Sequence, residues 1–226
     1  CRITHNSVIK VRLPKAKMTP KHVSEMLQTM TAMQTAHNEQ VHPQWRTQGY
    51  AYYRAIWVEC AEMLDHYGWK WWKKQTPDLN QVKLELVDIW HFGLSELIRS
   101  NRLDDQVGFA LSEVDAAAEP DPDALRLAIE ALAESSLRTR SFEMAPFIEA
   151  MSALSLSVTE LFKLYVGKNV LNQFRQNNGY KDGSYRKIWQ GREDNEHLVD
   201  LLARLDVAAS EVPNALYRQL EAIYVR

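Results

Sequence analysis

Two pairs of acidic residues are the part of this sequence with the clearest potential for chemistry. Glu59 and Glu62 form the first pair, and Glu85 and Asp88 form the second. Because residues three apart lie on the same face of a helix, each pair places two carboxylates side by side. Both pairs stand in apolar sequence, and buried carboxylates are normally paired or bound to metal. We therefore predict that the four carboxylates bind a hard divalent cation, Mg²⁺ or Mn²⁺.

A solvated surface and a di-iron centre are the alternatives to a hard-metal site at these acids. One such pair alone would usually be a solvated helix face, but two pairs on consecutive segments rich in Leu, Val and Trp favour a metal site. A di-iron centre would need Glu-x-x-His motifs, which are not found at these acids. His91 follows Asp88 by three residues on the same face, and it is either a core histidine or part of a pocket wall.

A row of cations and amides lies later in the chain. Lys168, Asn172 and Arg175 fall at positions i, i+4 and i+7, which is one face of a helix. Alone, this pattern would indicate a solvated basic stripe. Beside a metal site it has the composition needed to grip a polyphosphate, since metal and cations share the phosphate charge.

The apolar stripe of the first predicted helix turns polar at its C-terminal end. Val23 and Met30 belong to the stripe, and its continuation reaches Gln34 and Asn38. These two amides are either the solvated end of a fraying helix or one wall of a ligand pocket, where they would read a base edge or a sugar hydroxyl.

Three tryptophans in four residues, at Trp69, Trp71 and Trp72, follow the second helix. We expect most of them to cap the core and one to be free to stack on a planar ligand.

Helix start and stop signals predict an all-α chain. The expected helices cover residues 20–40, 50–67, 78–99, 141–154, 157–178, 194–205 and 213–224, with two short ones between 101 and 140. Ser157 and Glu160 form a capping box, and Gly179 ends the helix that they begin. The polar segment 180–195 is predicted to be a loop that closes over a ligand.

The 226 residues predict a flexible leader at 1–18 and one all-α domain at 19–226. We expect its core at about 19–100 and 156–226, with a smaller, peripheral helical subdomain at about 101–155. Two cysteines, Cys1 and Cys60, are too few for a disulfide framework or a zinc site. Because the chain begins with Cys1, we expect that its true N-terminus is missing or processed.

Composition and charge bear on partners and location. The chain is 46% hydrophobic, and its formal net charge of -2 gives no basic field for nucleic acid. We find no signal peptide and no apolar run long enough to span a membrane, so we expect no membrane partner and a soluble, cytoplasmic protein.

Three motifs resemble the dimeric all-α dUTPases of trypanosomatids, bacteria and phages, which belong to the all-α NTP pyrophosphatase superfamily. The first is the Glu59 pair followed by Trp-Lys-Trp-Trp-Lys, and the second is Glu-Leu-Val-Asp-Ile-Trp-His-Phe from Glu85. The third and most specific is Gly-Lys-Asn-Val-Leu-Asn-Gln-Phe-Arg-Gln-Asn-Asn-Gly-Tyr-Lys-Asp-Gly-Ser-Tyr from Gly167. The likeness covers about residues 34–98 and 165–197.

The resemblance implies a helical bundle of the superfamily type and a role for each matching residue. Two or three Mg²⁺ ions would be bound by Glu59, Glu62, Glu85 and Asp88. The uracil and the deoxyribose would face Gln34, Asn38, Trp71, His91 and Phe92. The phosphates would be held by Lys168, Asn172, Arg175, Tyr180, Lys181 and Asn195. Alternatively, Asn172 would also contribute to the pocket that holds the base.

The implied reaction is hydrolysis of dUTP, and of dUDP, to dUMP by a homodimer. Such an enzyme keeps uracil out of DNA and supplies dUMP. Glu59 is our choice for the base that takes the proton of the attacking water. Two alternatives stand beside this prediction. One is a related pyrophosphatase that prefers dCTP or accepts dNTPs generally, and the other is a non-enzymatic helical interaction module, which leaves the four acids unexplained.

Overall fold

The computed structural model describes residues 19–116, 121–205, 207 and 211–224, so the predicted leader at 1–18 lies outside the described residues. Within them the chain forms nine helices: α1 Pro20–Val41, α2 Tyr52–Tyr67, α3 Leu79–Arg99, α4 Asp105–Ser112, α5 Pro122–Thr139, α6 Met144–Ala153, α7 Val158–Asn177, α8 Asp194–Arg204 and α9 Val212–Ile223. The predicted all-α class is confirmed. No helix in this part of the chain is long and apolar enough to cross a membrane.

Local capping explains where the helices that carry the candidate site begin and end. The side chain of Asp78 accepts a hydrogen bond from the amide of Gln81 at the start of α3, and Ser157 accepts one from the amide of Glu160 at the start of α7. Each bond satisfies an amide that has no partner within its helix. Gly179 follows the end of α7 with φ of +93°, a conformation in which glycine avoids the strain of a Cβ atom.

Helix α3 lies at the centre of the fold, packed by α1, α2, α7 and α8. Its sequence is apolar around most of its circumference because neighbours cover most of its faces. The indole of Trp90 stacks on Phe147 with ring centroids 5.1 Å apart and meets Phe142 edge-on at 6.0 Å. The carboxylates of α3 are therefore carried by a rigid, largely buried helix.

The segment from residue 101 to 155 differs in placement from our expectation of a peripheral subdomain. Helix α5 packs on α2 and α6, and Leu125 and Ile129 are buried in the same cluster as α3. Phe142 and Phe147 from this segment contact Trp90 directly. The apolar periodicity of the segment predicted helices, but it could not show that their partner is the main core.

A second apolar cluster holds α7 against the C-terminal part of the chain. Phe174 lies at its centre, with ring centroids 5.7 Å from Trp189, 5.4 Å from Tyr217 and 5.3 Å from Tyr224. Between α7 and α8, β1 (Ile188–Trp189) pairs antiparallel with β2 (Arg192–Glu193). This hairpin fixes the end of the predicted 180–195 loop against α7, which carries the row of cations.

Candidate functional site

Three carboxylates from two helices meet at the centre of the molecule. Glu59 on α2 faces Glu85 and Asp88 on α3, and one oxygen from each lies within 4.8 Å of the others. Glu85 is buried, and the other two are half-buried. The close packing of α2 on α3 brings the two pairs together, as expected when both helices turn their acidic positions toward the same interface.

Glu62 is the fourth predicted acid, and the structure places it outside this cluster on the exposed edge of α2. Three residues along a helix correspond to a rotation that falls about 60° short of a full turn. Glu62 therefore lies one turn further along α2 and to the side of Glu59. Its charge still acts on the site, because it contributes to raising the pKa of Glu59 and of Glu85.

Mutual repulsion makes the acid cluster unfavourable without a cation. Burial, together with the charges of Asp88, Glu85 and Glu62, raises the pKa of Glu59 to about 9. Burial and the charge of Asp88 also raise the pKa of Glu85, against the opposing charge of Lys168. Carboxylates this close cannot all ionise unless positive charge is added. The all-oxygen donor set fits a hard divalent cation.

Lys168 on α7 supplies one positive charge to the cluster from inside the protein. Its Nζ atom lies 2.6 Å from Asp88 Oδ2 and donates to Asn195 Oδ1 at 3.0 Å. The side chain is only 1% exposed. Lys168 and Asn195, two of the predicted phosphate-binding residues, thus lie directly beside the acids.

Arg175 is held rigidly by a partner that the sequence did not indicate. Its Nε and Nη2 atoms donate to the two oxygens of Asp194, each at 2.8 Å, and Nη1 donates to Asn172 Oδ1 at 3.1 Å. Asp194 is fully buried and also accepts from the hydroxyl of Tyr185 at 2.8 Å. Burial alone would raise the pKa of Asp194, but the hydrogen bonds and charge of Arg175 lower it. In the sequence, Asp194 showed only the signal of a helix start.

A cavity of about 180 Å³ opens beside Asp88, near the C-terminal end of α1. Four of the predicted base- and sugar-binding residues line it: Gln34, Asn38, His91 and Phe92. Six further residues of its lining were not predicted from the sequence: His37, Val41, Trp45, Tyr50, Tyr52 and Ser95. Two of these, Trp45 and Tyr50, come from the connection between α1 and α2, where no periodicity indicated which way a side chain points.

The two amides of this cavity belong to one hydrogen-bonded chain. Gln34 Oε1 lies 2.7 Å from the Tyr165 hydroxyl, which donates to it, and 2.8 Å from His91 Nδ1. Gln34 Nε2 donates to Asn38 Oδ1 at 3.0 Å, and Asn38 Nδ2 donates to Ser95 Oγ at 2.9 Å. The polar end of the α1 stripe is therefore an ordered pocket wall and not a frayed helix end.

His91, which lines the same cavity, has an unused acceptor atom. Burial, with the charges of Lys168 and His37, lowers the pKa of His91 well below its ordinary value of 6.5, so the ring is neutral near pH 7. Because Nδ1 faces an acceptor oxygen, it carries the hydrogen and Nε2 has the free lone pair. Among the described residues, nothing hydrogen-bonds to this buried Nε2 atom. A buried acceptor without a partner on a cavity wall indicates a ligand that donates to it.

A second cavity, of about 200 Å³, also adjoins the acids. It is lined by Glu59, Asp88, Phe92, Asn172, Arg175, Gln176 and Tyr180. Asp88, Phe92 and Asn172 line both cavities. The amide-lined cavity, the carboxylates and the cationic row therefore adjoin one another.

Six predicted site residues line neither cavity. Glu85, Lys168 and Asn195 lie beside the lining residues, in the acid cluster or bonded to it, whereas Glu62, Trp71 and Lys181 are exposed. Trp71 is 90% exposed and lines a separate cavity next to Trp69, and Trp72 is also exposed, so the tryptophans do not cap the core as expected. Lys181 is exposed and lines neither of the two cavities. Trp71 and Lys181 belong to connections between helices, where the sequence gives no rule for side-chain direction.

The arrangement agrees with the comparison with known protein families. A family model described as dUTPase matches residues 26–180, more than half of the chain. This range includes the acid cluster, the amide-lined cavity and the whole cationic row of Lys168, Asn172 and Arg175. No curated protein sequence matches the chain. The chain belongs to the all-α dUTPase family, and its activity is that of a dUTP diphosphatase.

Proposed function

We propose that the site hydrolyses dUDP as well as dUTP, that it requires Mg²⁺, and that Mn²⁺ can substitute. The observation that carries this proposal is the meeting of Glu59, Glu85 and Asp88 at the junction of two cavities of opposite character. One cavity is lined by amides and aromatic rings, and the other adjoins buried cations. By removing dUTP, the enzyme keeps uracil out of DNA and supplies dUMP.

The acids are assigned to metal binding. We propose that Glu59, Glu85 and Asp88 hold Mg²⁺, with Glu62 joining them from the exposed edge, for two or three ions in all. When bound, Mg²⁺ neutralises phosphate charge and lowers the pKa of a coordinated water. Burial and the repulsion from neighbouring acids raise the pKa of Glu59, which supports this assignment because a bound cation offsets both effects.

Glu59 is also assigned as the proton acceptor. It lines the phosphate-side cavity together with Asp88, and it is half-buried among other acids. A carboxylate in such surroundings is more basic than one in water, which suits a group that takes a proton from the attacking water. In dUTP, the bond that breaks joins the first phosphate to the second, and the products are dUMP and pyrophosphate.

The cations are assigned to the phosphates. Arg175 lines the phosphate-side cavity with its planar group fixed by Asp194, and Lys168 contacts Asp88, which lines the same cavity. Fixed positive charges stabilise the negative charge that develops on the transferring group and on the leaving oxygen. Asn172 and Tyr180 line the same cavity, and Asn195 bridges the two cations. Lys181 completes the proposed set from the adjacent exposed loop.

The amide-lined cavity is assigned to uracil and deoxyribose. Gln34 and Asn38 each use one N–H within the protein and retain a second, whereas His91 Nε2 can only accept. Carbonyl oxygens and the ring N–H of uracil, or a sugar hydroxyl, match these groups. Phe92 lines both cavities and is placed to contact the sugar between them. Trp71 is not included, because it lies at another cavity.

We further propose that the enzyme is a cytoplasmic homodimer that acts on free nucleotides and binds no nucleic acid. Trp57 and Val58 on α2 are adjacent, and each is more than one-third exposed. Pairing of two copies through α2 would cover this apolar surface. The net charge of -2 supports the absence of a nucleic-acid partner.

The test is a hydrolysis panel with dUTP, dUDP, dCTP, dTTP and UTP in Mg²⁺, in Mn²⁺ and in EDTA. We expect turnover of dUTP and dUDP in either metal and none in EDTA, with products separated by chromatography. Glu85→Gln should abolish turnover, whereas Glu149→Gln on α6, outside the site, should retain it. Comparable turnover of dCTP or dTTP would refute the base assignment, and full activity in EDTA would refute the metal requirement.

A further inference from the structure

We propose that Tyr165 is a positioning residue that sets the preference for uracil over cytosine by fixing the direction in which the amides of Gln34 and Asn38 point. This inference rests on the proposed assignment of the amide-lined cavity to the base. Tyr165 lies on α7, whereas the amides lie on α1, 131 residues away from it along the chain at Gln34. Tyr165 does not line the cavity and acts through Gln34.

The hydroxyl of Tyr165 acts as a donor, and its single hydrogen faces two acceptor oxygens, of which Gln34 Oε1 is the nearer. The hydroxyl is fully buried, and its two neighbours are Gln34 Oε1 at 2.7 Å and the carbonyl oxygen of Met30 at 3.0 Å. Burial raises the pKa of Tyr165 far above its ordinary value, so the hydroxyl keeps its proton. The phenol ring stacks on His91, with centroids 4.1 Å apart and planes inclined by 19°, which holds the hydroxyl in place.

The opposite end of the hydrogen-bonded chain is fixed independently. Ser95 Oγ donates its only hydrogen to the carbonyl oxygen of His91 at 2.9 Å, so it must accept from Asn38. The nitrogen of the Asn38 amide therefore faces Ser95, and its oxygen faces Gln34 Nε2. Gln34 Oε1 is then left for Tyr165 and His91. The hydroxyls of Tyr165 and Ser95, at the two ends of the hydrogen-bonded chain, therefore favour the same orientation of the Gln34 and Asn38 amides.

A fixed direction matters because uracil and cytosine have nearly the same shape. They differ at the ring nitrogen and at the neighbouring exocyclic group, where donor and acceptor are exchanged. A side-chain amide that can rotate by half a turn exchanges its own donor and acceptor in the same way, and it can therefore accept either base. An amide that cannot rotate leaves buried polar groups mispaired against the wrong base, which is a strong source of discrimination.

Tyr165→Phe removes only the donor and keeps the ring that stacks on His91. We expect the ratio of kcat/KM for dUTP to that for dCTP to fall at least about tenfold. This is the size of effect expected from the loss of one hydrogen bond in the hydrogen-bonded chain. Ser95→Ala removes the anchor at the other end and should lower the same ratio. The matched control is Tyr217→Phe, which loses a hydroxyl that accepts from Asn177 Nδ2 at 2.9 Å, away from both cavities.

The experiment measures kcat/KM for dUTP and for dCTP in Mg²⁺, with thermal unfolding of each variant. A lower ratio in Tyr165→Phe and Ser95→Ala, with an unchanged ratio in Tyr217→Phe, supports the inference. An unchanged ratio in folded Tyr165→Phe, even with slower turnover of both nucleotides, overturns it. If Tyr165→Phe does not fold, Ser95→Ala decides, because alanine is favourable within a helix.

Gln34→Ala separates this inference from the proposed function. If the wild-type protein turns over dUTP and dCTP equally, or if Gln34→Ala leaves their ratio unchanged, the base assignment of the cavity is wrong and the inference falls with it. If Gln34→Ala lowers the ratio while folded Tyr165→Phe and Ser95→Ala do not, the base assignment stands and the positioning role alone is overturned.

Discussion

The Nζ atom of Lys168 lies 2.6 Å from Oδ2 of Asp88, between α7 and α3, and the lysine side chain is almost completely buried. This contact joins the row of cations directly to the acid cluster. It also gives the cluster a permanent counter-charge that does not depend on any bound ion. The interaction should therefore stabilise the folded protein, and its contribution should depend on whether a metal ion is bound.

Lys168→Met should destabilise the protein in EDTA by about 3 kcal/mol, since it leaves Asp88 among other acids without its cationic partner. Mg²⁺ should reduce this deficit, because the ion supplies the missing positive charge. Urea unfolding of wild type and variant in EDTA and in Mg²⁺ measures both quantities. Lys163→Met, at an exposed position of the same helix, is the control and should change little. An equal deficit in both conditions would contradict the assignment of Asp88 as a metal ligand.

Glu59→Gln should alter the pH dependence of stability in EDTA. The folded pKa of Glu59, about 9, lies above its ordinary value of 4.5, so the folded state retains a proton that the unfolded state has lost. Stability should therefore fall as the pH rises from about 4.5 to 9, and the glutamine variant should show a flatter profile. Urea midpoints across this range test the sign. If the stability of the wild type rises with pH over this range, the acids are not held in mutual repulsion.

Glu59→Gln should also reduce the turnover of dUTP at least about 100-fold, because it removes the proposed proton acceptor. Steady-state kinetics at saturating Mg²⁺ measure the loss. Glu25→Gln, at an exposed position of α1, is a matched control of the same chemical change. Turnover within a few-fold of wild type in Glu59→Gln would remove Glu59 from this role.

Asp194→Asn should weaken both stability and activity, because Arg175 loses the charge that holds it. The cost should be about 3 kcal/mol near neutral pH, as for other broken buried ion pairs. Arg175 lowers the folded pKa of Asp194 below its ordinary value of 3.8, so this contribution is present above about pH 4 and is lost as the pH falls through the lowered pKa. The stability difference between wild type and variant should therefore shrink on acidification, which urea unfolding at pH 7 and at pH 3 can measure. A difference that grows on acidification would contradict the ion pair.

His91→Phe should raise KM for dUTP about tenfold, with a smaller effect on kcat. Phenylalanine keeps a flat ring against Tyr165 but removes both the free acceptor Nε2 and the donor to Gln34. A contact made equally in the bound substrate and in the transition state affects binding more than turnover. Steady-state kinetics with dUTP test the prediction, and an unchanged KM in the folded variant would show that Nε2 does not contact the substrate.

Local sequence patterns determined the elements of this enzyme and the faces of its helices. Capping at Asp78 and Ser157 set the starts of α3 and α7, because a cap involves only residues that are neighbours along the chain. Helical periodicity placed Gln34 with Asn38, and Lys168 with Arg175, on shared faces. These relationships follow from helix geometry alone, so they could be predicted before any packing was known.

The tertiary structure decided which of these faces meet and how their polar groups are paired. It left Glu62 outside the acid cluster, paired Arg175 with Asp194, and brought the Tyr165 hydroxyl to Gln34. Each outcome depends on the rotation and crossing of helices that are distant in sequence. Those quantities are set by the packing of the whole core and not by local periodicity, which is why the sequence could suggest candidate site residues but could not show how they pair.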